Sequence, residues 1–330
     1  MAQCKAMVLA REPLCRRCRA ASWAGGRCGR AWQRGQAVCK PGPPAMPVHL
    51  PPSPVSQAMP ALAPSPPALA DVATLTADHR RYDSDHEHAT RTEAARRLAM
   101  LRGVGFRGEY DQRQPPPDPL YLVPSDTLTA DMAQSFGVRD AGGLFGGVVP
   151  WGFVATKVIT HPLVDAGAVA PIGWTQAFPE RVADAVLRGF SVFSHDDARK
   201  AGQRLLVDGP TRVKPACATG GHGQTVVRDG RALDQCLDTM SPTELAEHGL
   251  VLEENLADPV RTLSVGQVRV GALCASYHGV QRTTRSNQGQ VAYGGSDLTL
   301  VRGGFDALLG QADLTPDVRL GIEQARRYHE

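Results

Sequence analysis

Residues 212–227, RVKPACATGGHGQTVV, set one lysine in a strand-like apolar run. They follow it with a loop holding Gly220, Gly221 and Gly223 and return in a second strand-like run. A charged side chain in a buried strand is costly unless something negative meets it. Three glycines in four positions let backbone N–H groups approach a ligand without side-chain obstruction, and such amide nests suit phosphate oxygens. The stretch predicts a β-hairpin whose tip can close over phosphates, with Lys214 in the incoming strand. The same residues, taken alone, also fit a plain glycine hairpin whose lysine reaches solvent.

Order and context exclude two familiar phosphate loops. The phosphate loop G-x-x-x-x-G-K-S/T carries its lysine after the glycines. Here Lys214 precedes them, and Gln224 stands where that lysine is needed. The dinucleotide fingerprint opens a helix, whereas GGHGQTVV leads into a strand.

The remainder of the chain divides sharply by composition. Residues 41–69 hold 11 prolines in 29 positions, a density that excludes helix and sheet. Residues 1–40 are rich in Arg, Cys, Gly and Ala without periodicity. We expect residues 1–70 to form a disordered extension, with Met46 or Met59 as an alternative translation start. Residues 1–70 carry 9 Lys and Arg against one acid, so the rest of a chain of net charge +3 is mildly acidic. Overall charge thus gives no argument for a nucleic-acid partner. No run of about 18 apolar residues exists, so no membrane span is expected. Cys217, Cys236 and Cys274 are scattered, as in a reduced cytoplasmic protein. Cys15, Cys18, Cys28 and Cys39 open with a C-x2-C, but lie in sequence without strand or helix pattern. HRRYDSDHEH (79–88) reads as a solvated loop before a helix.

Ordered sequence begins near residue 71. A small α/β lobe over 71–150 is expected from a helix at 91–103, a strand at 119–125 and a helix at 126–137. A glycine-rich linker, 141–152, leads to a second domain over 151–330. Its elements are helices at 179–190 and 194–206, with Ser194 as N-cap and Asp197 completing a box-like cap. The strands flanking the glycine loop, a helix at 230–240, a strand at 249–255, an antiparallel hairpin at 261–284 and a final helix follow.

The succession of helix, VKP strand, glycine loop, helix, LVLEEN strand and hairpin resembles the ATP-grasp superfamily over roughly residues 150–300. FVATKVITHPLV, RVKPACATGGHGQTVV, GLVLEENL and SVGQVRVG with YGGSDL more closely resemble an uncharacterised bacterial family of that superfamily, a domain of unknown function. The resemblance implies an α/β, ATP-grasp-like two-lobe fold preceded by a small pre-grasp lobe. It implies ATP and Mg2+ as cofactors and a small carboxylate as substrate. The carboxylate would be phosphorylated to an acyl phosphate and attacked by an amine or thiol. Lys157 and Lys214 would then contact phosphates, the loop at Gly220, Gly221, His222 and Gly223 would cover them, and the run at Glu253 and Glu254 would hold the adenine or ribose. Arg269, Arg282 and Arg285 are candidates for holding the carboxylate or the transferring phosphoryl group.

One part of the pattern is missing. ATP-grasp enzymes hold Mg2+ with an acid on one late strand and E-x-N on the next, and no E-x-N follows residue 256. The expectation is a C-terminally incomplete copy or a metal site built otherwise, with its ligands unassigned. Two other readings stay open: a nucleotide-binding relative that no longer ligates, and a zinc or nucleic-acid binder working through the basic N-terminal extension.

Overall fold

A computed structural model describes residues 5–10, 70–77, 85–113, 118–140, 142–217, 223–256, 261–285 and 291–330. All of them belong to one unit, Met1–Glu12 with Leu69–Glu330. The first element is strand β1 (Lys5–Ala10), which pairs antiparallel with a strand near residue 265. It falls inside the stretch expected to be disordered, as an edge strand formed by the run KAMVLA. Residues 11–69, with the proline tract and the four spaced cysteines, lie outside the described residues.

The expected small α/β layer is present. Strands β2 (Val72–Leu75), β3 (Phe106–Glu109) and β4 (Tyr121–Pro124) form a parallel sheet in the order β3-β2-β4. Helix α1 (Asp85–Arg102) connects the first two. All four residues of β2 are buried, as expected of a parallel strand covered on both faces. Gly103, at φ +69, takes the left-handed position that ends α1. Strand β5 (Leu128–Thr129), helix α2 (Ala130–Ser135) and strand β6 (Val148–Val149) follow. The expected helix at 126–137 is therefore shorter: Leu128 and Thr129 pair with β6, and Thr129 then caps α2 through its hydroxyl.

Two 3-10 turns, Gly152–Ala155 and Lys157–Thr160, lead to helix α3 (Ala177–Val182). The helix expected at 179–190 stops at Val182, because the chain must straighten for β7 (Gly189–Val192) to pair with a later strand. Helix α4 (His195–Leu206), β8 (Thr211–Pro215), β9 (Thr225–Val227), α5 (Gly230–Asp238), α6 (Pro242–His248) and β10 (Leu250–Glu254) complete a sheet of order β7-β10-β8-β9. Ser194 caps α4 as expected. Its hydroxyl accepts from the Asp197 N–H and donates to the Asp197 carboxylate, which also accepts from the Val169 N–H.

Strand alternation gives this sheet two unlike faces. Val192, Val213, Val227, Leu250 and Leu252 form the apolar face and pack on Ala198, Ala201, Leu205, Leu233 and Leu237 of α4 and α5. Gly202 lets the two helices close: a Cβ there would stand 2.4 Å from Leu233. Truncating Leu252, which is fully buried, to alanine is expected to cost about 2–5 kcal/mol. Lys214, Arg212 and Glu253 belong to the opposite face.

The second large sheet, order β1-β11-β12-β13, contains β11 (Arg261–Val270), β12 (Leu273–Arg285) and β13 (Val291–Arg302). The expected hairpin is β11–β12. Strand β13 is not among the expected elements; a register shift after Arg282 and a positive φ at Gly295 accommodate its two glycines, Gly294 and Gly295. Helices α7 (Phe305–Leu309) and α8 (Pro316–His329) cover Leu263 and Val265 of this sheet. The architecture is the expected mixed α/β. Around Lys214 the order is helix α4, the lysine strand β8, the return strand β9, helices α5 and α6, the acid-ended strand β10 and the β11–β12 hairpin, which is the expected order with α6 added.

Candidate functional site

Register brings the opening lysine to its partner. Lys214 lies opposite Val251, and Arg212 opposite Glu253, so Lys214 and Glu253 are diagonal neighbours on one face. The Lys214 ammonium pairs with Glu253 Oε1, and His161 Nε2 lies 3.3 Å from Glu253 Oε2. His161 is 2% exposed and Glu253 5%; the Lys214 side chain is 13% exposed. Three polar side chains are thus withdrawn from water and meet one another. Glu253 Oε1 is held by charge pairing to Lys214 and not by a hydrogen bond of ordinary geometry, and Oε2 faces His161. Burial pushes the Glu253 carboxyl up, but the His161 hydrogen bond and the Lys214 charge outweigh it and hold the group below the usual carboxylate range.

A missing side chain makes room for this contact. A Cβ on Gly189 would stand 2.6 Å from the Leu252 carbonyl, 2.9 Å from Glu253 Cβ and 3.0 Å from His161 Cε1. Only glycine lets β7 lie this close to both.

Lys157 comes to the same corner from the 3-10 turns. The Thr156 hydroxyl caps the second turn by accepting from the Val158 N–H. Lys157 Nζ donates to the Pro215 carbonyl at 2.9 Å and the Ala216 carbonyl at 3.1 Å. Those carbonyls end β8 and lead into the glycine loop. Lys157, Lys214 and Glu253 are therefore brought together at the loop's base. Gly220, Gly221 and His222 lie outside the described residues. Gly223 has φ +68, a conformation that suits glycine.

Beside them runs a polar strip. Arg212 donates from Nε and Nη2 to Asn255 Oδ1, at 3.2 and 2.8 Å, and from Nη1 to Gln224 Oε1 at 3.1 Å. The Glu254 N–H donates to the Arg188 carbonyl, the Asn255 N–H to the Pro210 carbonyl, and Glu254 Oε1 accepts from the Arg188 N–H. Backbone donors at 254 and 255 thus serve the fold itself. On the Val251 side, Phe153, Val158, Phe193, Ala216 and Trp174 form an apolar layer, with ring centroids 5.8 Å apart for Phe153 and Trp174 and 5.4 Å for Trp174 and Phe193.

Arg269 and Arg282 do not converge in this way. Arg269 is exposed on β11 opposite Cys274. Arg282 lies eight residues further along β12, roughly 26 Å at the usual strand rise, where it pairs with Asp297; both side chains are about two-thirds exposed. The Arg285 side chain lies outside the described residues. Among the described residues, no group of three or more His, Cys, Asp or Glu could hold a metal ion, and no helix is long and apolar enough to cross a membrane.

Sequence reasoning passed over His161, Arg212, Gln224 and Asn255. A histidine ending the apolar run KVIT was the available signal for the first. The others alternate along or flank strands already identified, and only register reveals that they share a face.

The chain belongs to the family described as "Protein of unknown function (DUF3182)", whose model matches residues 74–330. No curated protein matches the sequence. Solved structures similar to the chain include D-alanyl-alanine synthetase A from Vibrio cholerae, at 12% identity and TM-score 0.45, covering 78% of this chain and 80% of that one. An ATP-grasp RimK domain protein from Sphaerobacter thermophilus is similar at 13% identity and TM-score 0.34, covering 78% and 99%. D-cycloserine synthetase DcsG is similar at 13% identity and TM-score 0.32, with the same coverage.

Proposed function

We propose that this protein is an ATP-dependent ligase that activates a small carboxylate as an acyl phosphate for attack by an amine or thiol. The observation that carries the reading is the convergence of Lys157 and Lys214 at the base of a glycine-rich hairpin loop. A polyphosphate suits this chemistry. Both ammonium groups supply fixed positive charge, and the backbone of a glycine loop supplies N–H donors. Glu253 balances Lys214 in the absence of an anion, which keeps a buried cation tolerable. A phosphate then adds a second negative partner to a lysine already held in place. Arg212, with Gln224 and Asn255, offers a preset guanidinium next to the lysines. The apolar layer of Phe153, Trp174 and Phe193 excludes water on one flank.

In the proposed reaction a carboxylate oxygen attacks the terminal phosphorus of ATP, and the bond to the bridging oxygen breaks, releasing ADP. The nucleophile then attacks the acyl carbon, phosphate departs, and the nucleophile loses its proton to solvent. The protein's contribution is to position the groups and stabilise charge as it shifts along the phosphates. Mg2+, when bound, would neutralise phosphate charge. The described residues offer no acidic cluster for it, so no step is assigned through it.

The test is ATP-induced thermal stabilisation of the full chain, with ADP release measured over a panel of carboxylic acids and hydroxylamine as the trapping nucleophile. Lys214→Ala and Lys157→Ala should each abolish the ATP shift. The Lys157 variant leaves the Lys214–Glu253 pair in place but removes the hydrogen bonds to the Pro215 and Ala216 carbonyls, so its ATP shift is read against its own melting temperature without ATP. An unchanged shift in both variants refutes the phosphate role. Binding without ADP release from any acid would identify a nucleotide-binding relative that no longer ligates.

A further inference from the structure

The buried contact at the loop's base is assembled from three separate elements. His161 follows the second 3-10 turn, Lys214 lies on β8 and Glu253 on β10. Glu253 is the hub, with Oε1 on Lys214 and Oε2 on His161 Nε2. An ionised carboxylate only accepts hydrogen bonds, so Nε2 carries the proton and donates. The ring is held in place by burial and by the bare Cα of Gly189 beside Cε1. Arg212, the other charged group opposite Glu253, is committed to Asn255 and Gln224. It does not compete for the carboxylate.

We propose that His161 is a positioning residue of the candidate site: it keeps the Glu253 carboxylate turned so that the Lys214 ammonium stays at the base of the glycine loop. The end torsion of a glutamate is broad. Without a donor on Oε2 the carboxylate is free to turn, and Lys214 loses its fixed partner. Burying a lysine, a glutamate and a histidine together costs more than packing apolar side chains of similar volume. Holding an ammonium in one place is a use that justifies the arrangement. The inference rests on the proposed function for the anion that Lys214 would meet; the holding of Lys214 itself does not depend on it.

The test compares His161→Gln, whose amide can donate where Nε2 stands, with His161→Leu, which fills the space without a donor, and His161→Asn, which is too short to reach. Labelling of Lys214 by an amine-reactive reagent, read by peptide mass spectrometry, should rise several-fold in the Leu and Asn variants. It should stay within about twofold of wild type in the Gln variant. ATP affinity should weaken about tenfold in Leu and Asn and recover in Gln, the loss expected for one charge-assisted hydrogen bond. A merely space-filling histidine would be replaced best by leucine, the reverse order. Wild-type labelling in all three variants, or equal labelling in Gln and Leu, overturns the proposal. A clear split between Gln and Leu, in a protein whose melting temperature ATP does not move, would support the positioning role and reject the nucleotide reading.

Discussion

The sheets β7-β10-β8-β9 and β1-β11-β12-β13 each carry basic side chains paired with acids across strands, yet the pairs differ in kind. On the first sheet, Lys214 meets Glu253 out of water, with His161 on the remaining oxygen and Gly189 making the space. On the second, Arg282 meets Asp297 with both side chains about two-thirds exposed. A charge pair of the second kind is screened by solvent and contributes little. One of the first kind leaves an uncompensated buried charge when either member is removed. Burial, more than the presence of opposite charges, separates a candidate site from ordinary surface.

The largest expected effect tests that contrast directly. Lys214→Ala should destabilise the fold by about 3–5 kcal/mol, measured as the shift of the urea midpoint at constant slope. A cost below about 1 kcal/mol would place Lys214 with the exposed pairs and break the comparison. Acid sharpens it. The folded-state pKa of Glu253 is lowered, so its stabilisation is complete above the ordinary glutamate range and is lost as pH falls through the lowered value. In Lys214→Met the buried carboxyl loses that help and protonates more readily. The stability gap between wild type and variant should therefore narrow on acidification; a gap constant with pH would mean that the ion pair is not its origin.

Gly189→Ala should have an intermediate effect. The new methyl would meet the Leu252 carbonyl at 2.6 Å, a backbone atom that cannot swing aside. Relief requires β7 to shift against β10, at about 1–3 kcal/mol. The same shift should disturb His161, so Lys214 labelling should rise along with the loss of stability. Lost stability with unchanged labelling would separate sheet packing from the positioning of the lysine.

How much of this was legible beforehand follows from the range of the interactions involved. Elements whose signals are local, such as the Ser194 cap, the α1 stop at Gly103 and the β11–β12 hairpin, stand in the structure where the sequence puts them. Lys214 was identifiable as an odd charge in an apolar strand that calls for a partner, and Glu253 as one of two acids ending another apolar strand. That they are partners of each other depends on a register of Val251 with Lys214, which no local pattern encodes. His161 was harder still, since it is reached only through tertiary packing 92 residues from Glu253 in sequence. The shortened α3 and the additional β13 went the other way. There the pairing of Gly189–Val192 ended a helical period expected to run to 190, and β13 runs through the glycines at 294 and 295.

The smallest expected effect is the most discriminating for the second sheet. Arg282→Ala removes a guanidinium from an exposed pair with Asp297, and stability should change by no more than about 0.5 kcal/mol. Raising salt from low to physiological strength should erase even that, because the pair is open to counterions. Stability alone thus says little about Arg282, and for that reason its activity can be read cleanly. An arginine that holds the substrate carboxylate should, when replaced by alanine, raise the carboxylate KM of the proposed ligase without altering the ATP-induced thermal shift. An arginine that only decorates the strand should leave both unchanged. Lys214 offers no such separation, since its removal alters fold and site together. The exposed region is accordingly where a catalytic role can be isolated from a structural one, and the buried region is where the two are joined in the same side chains.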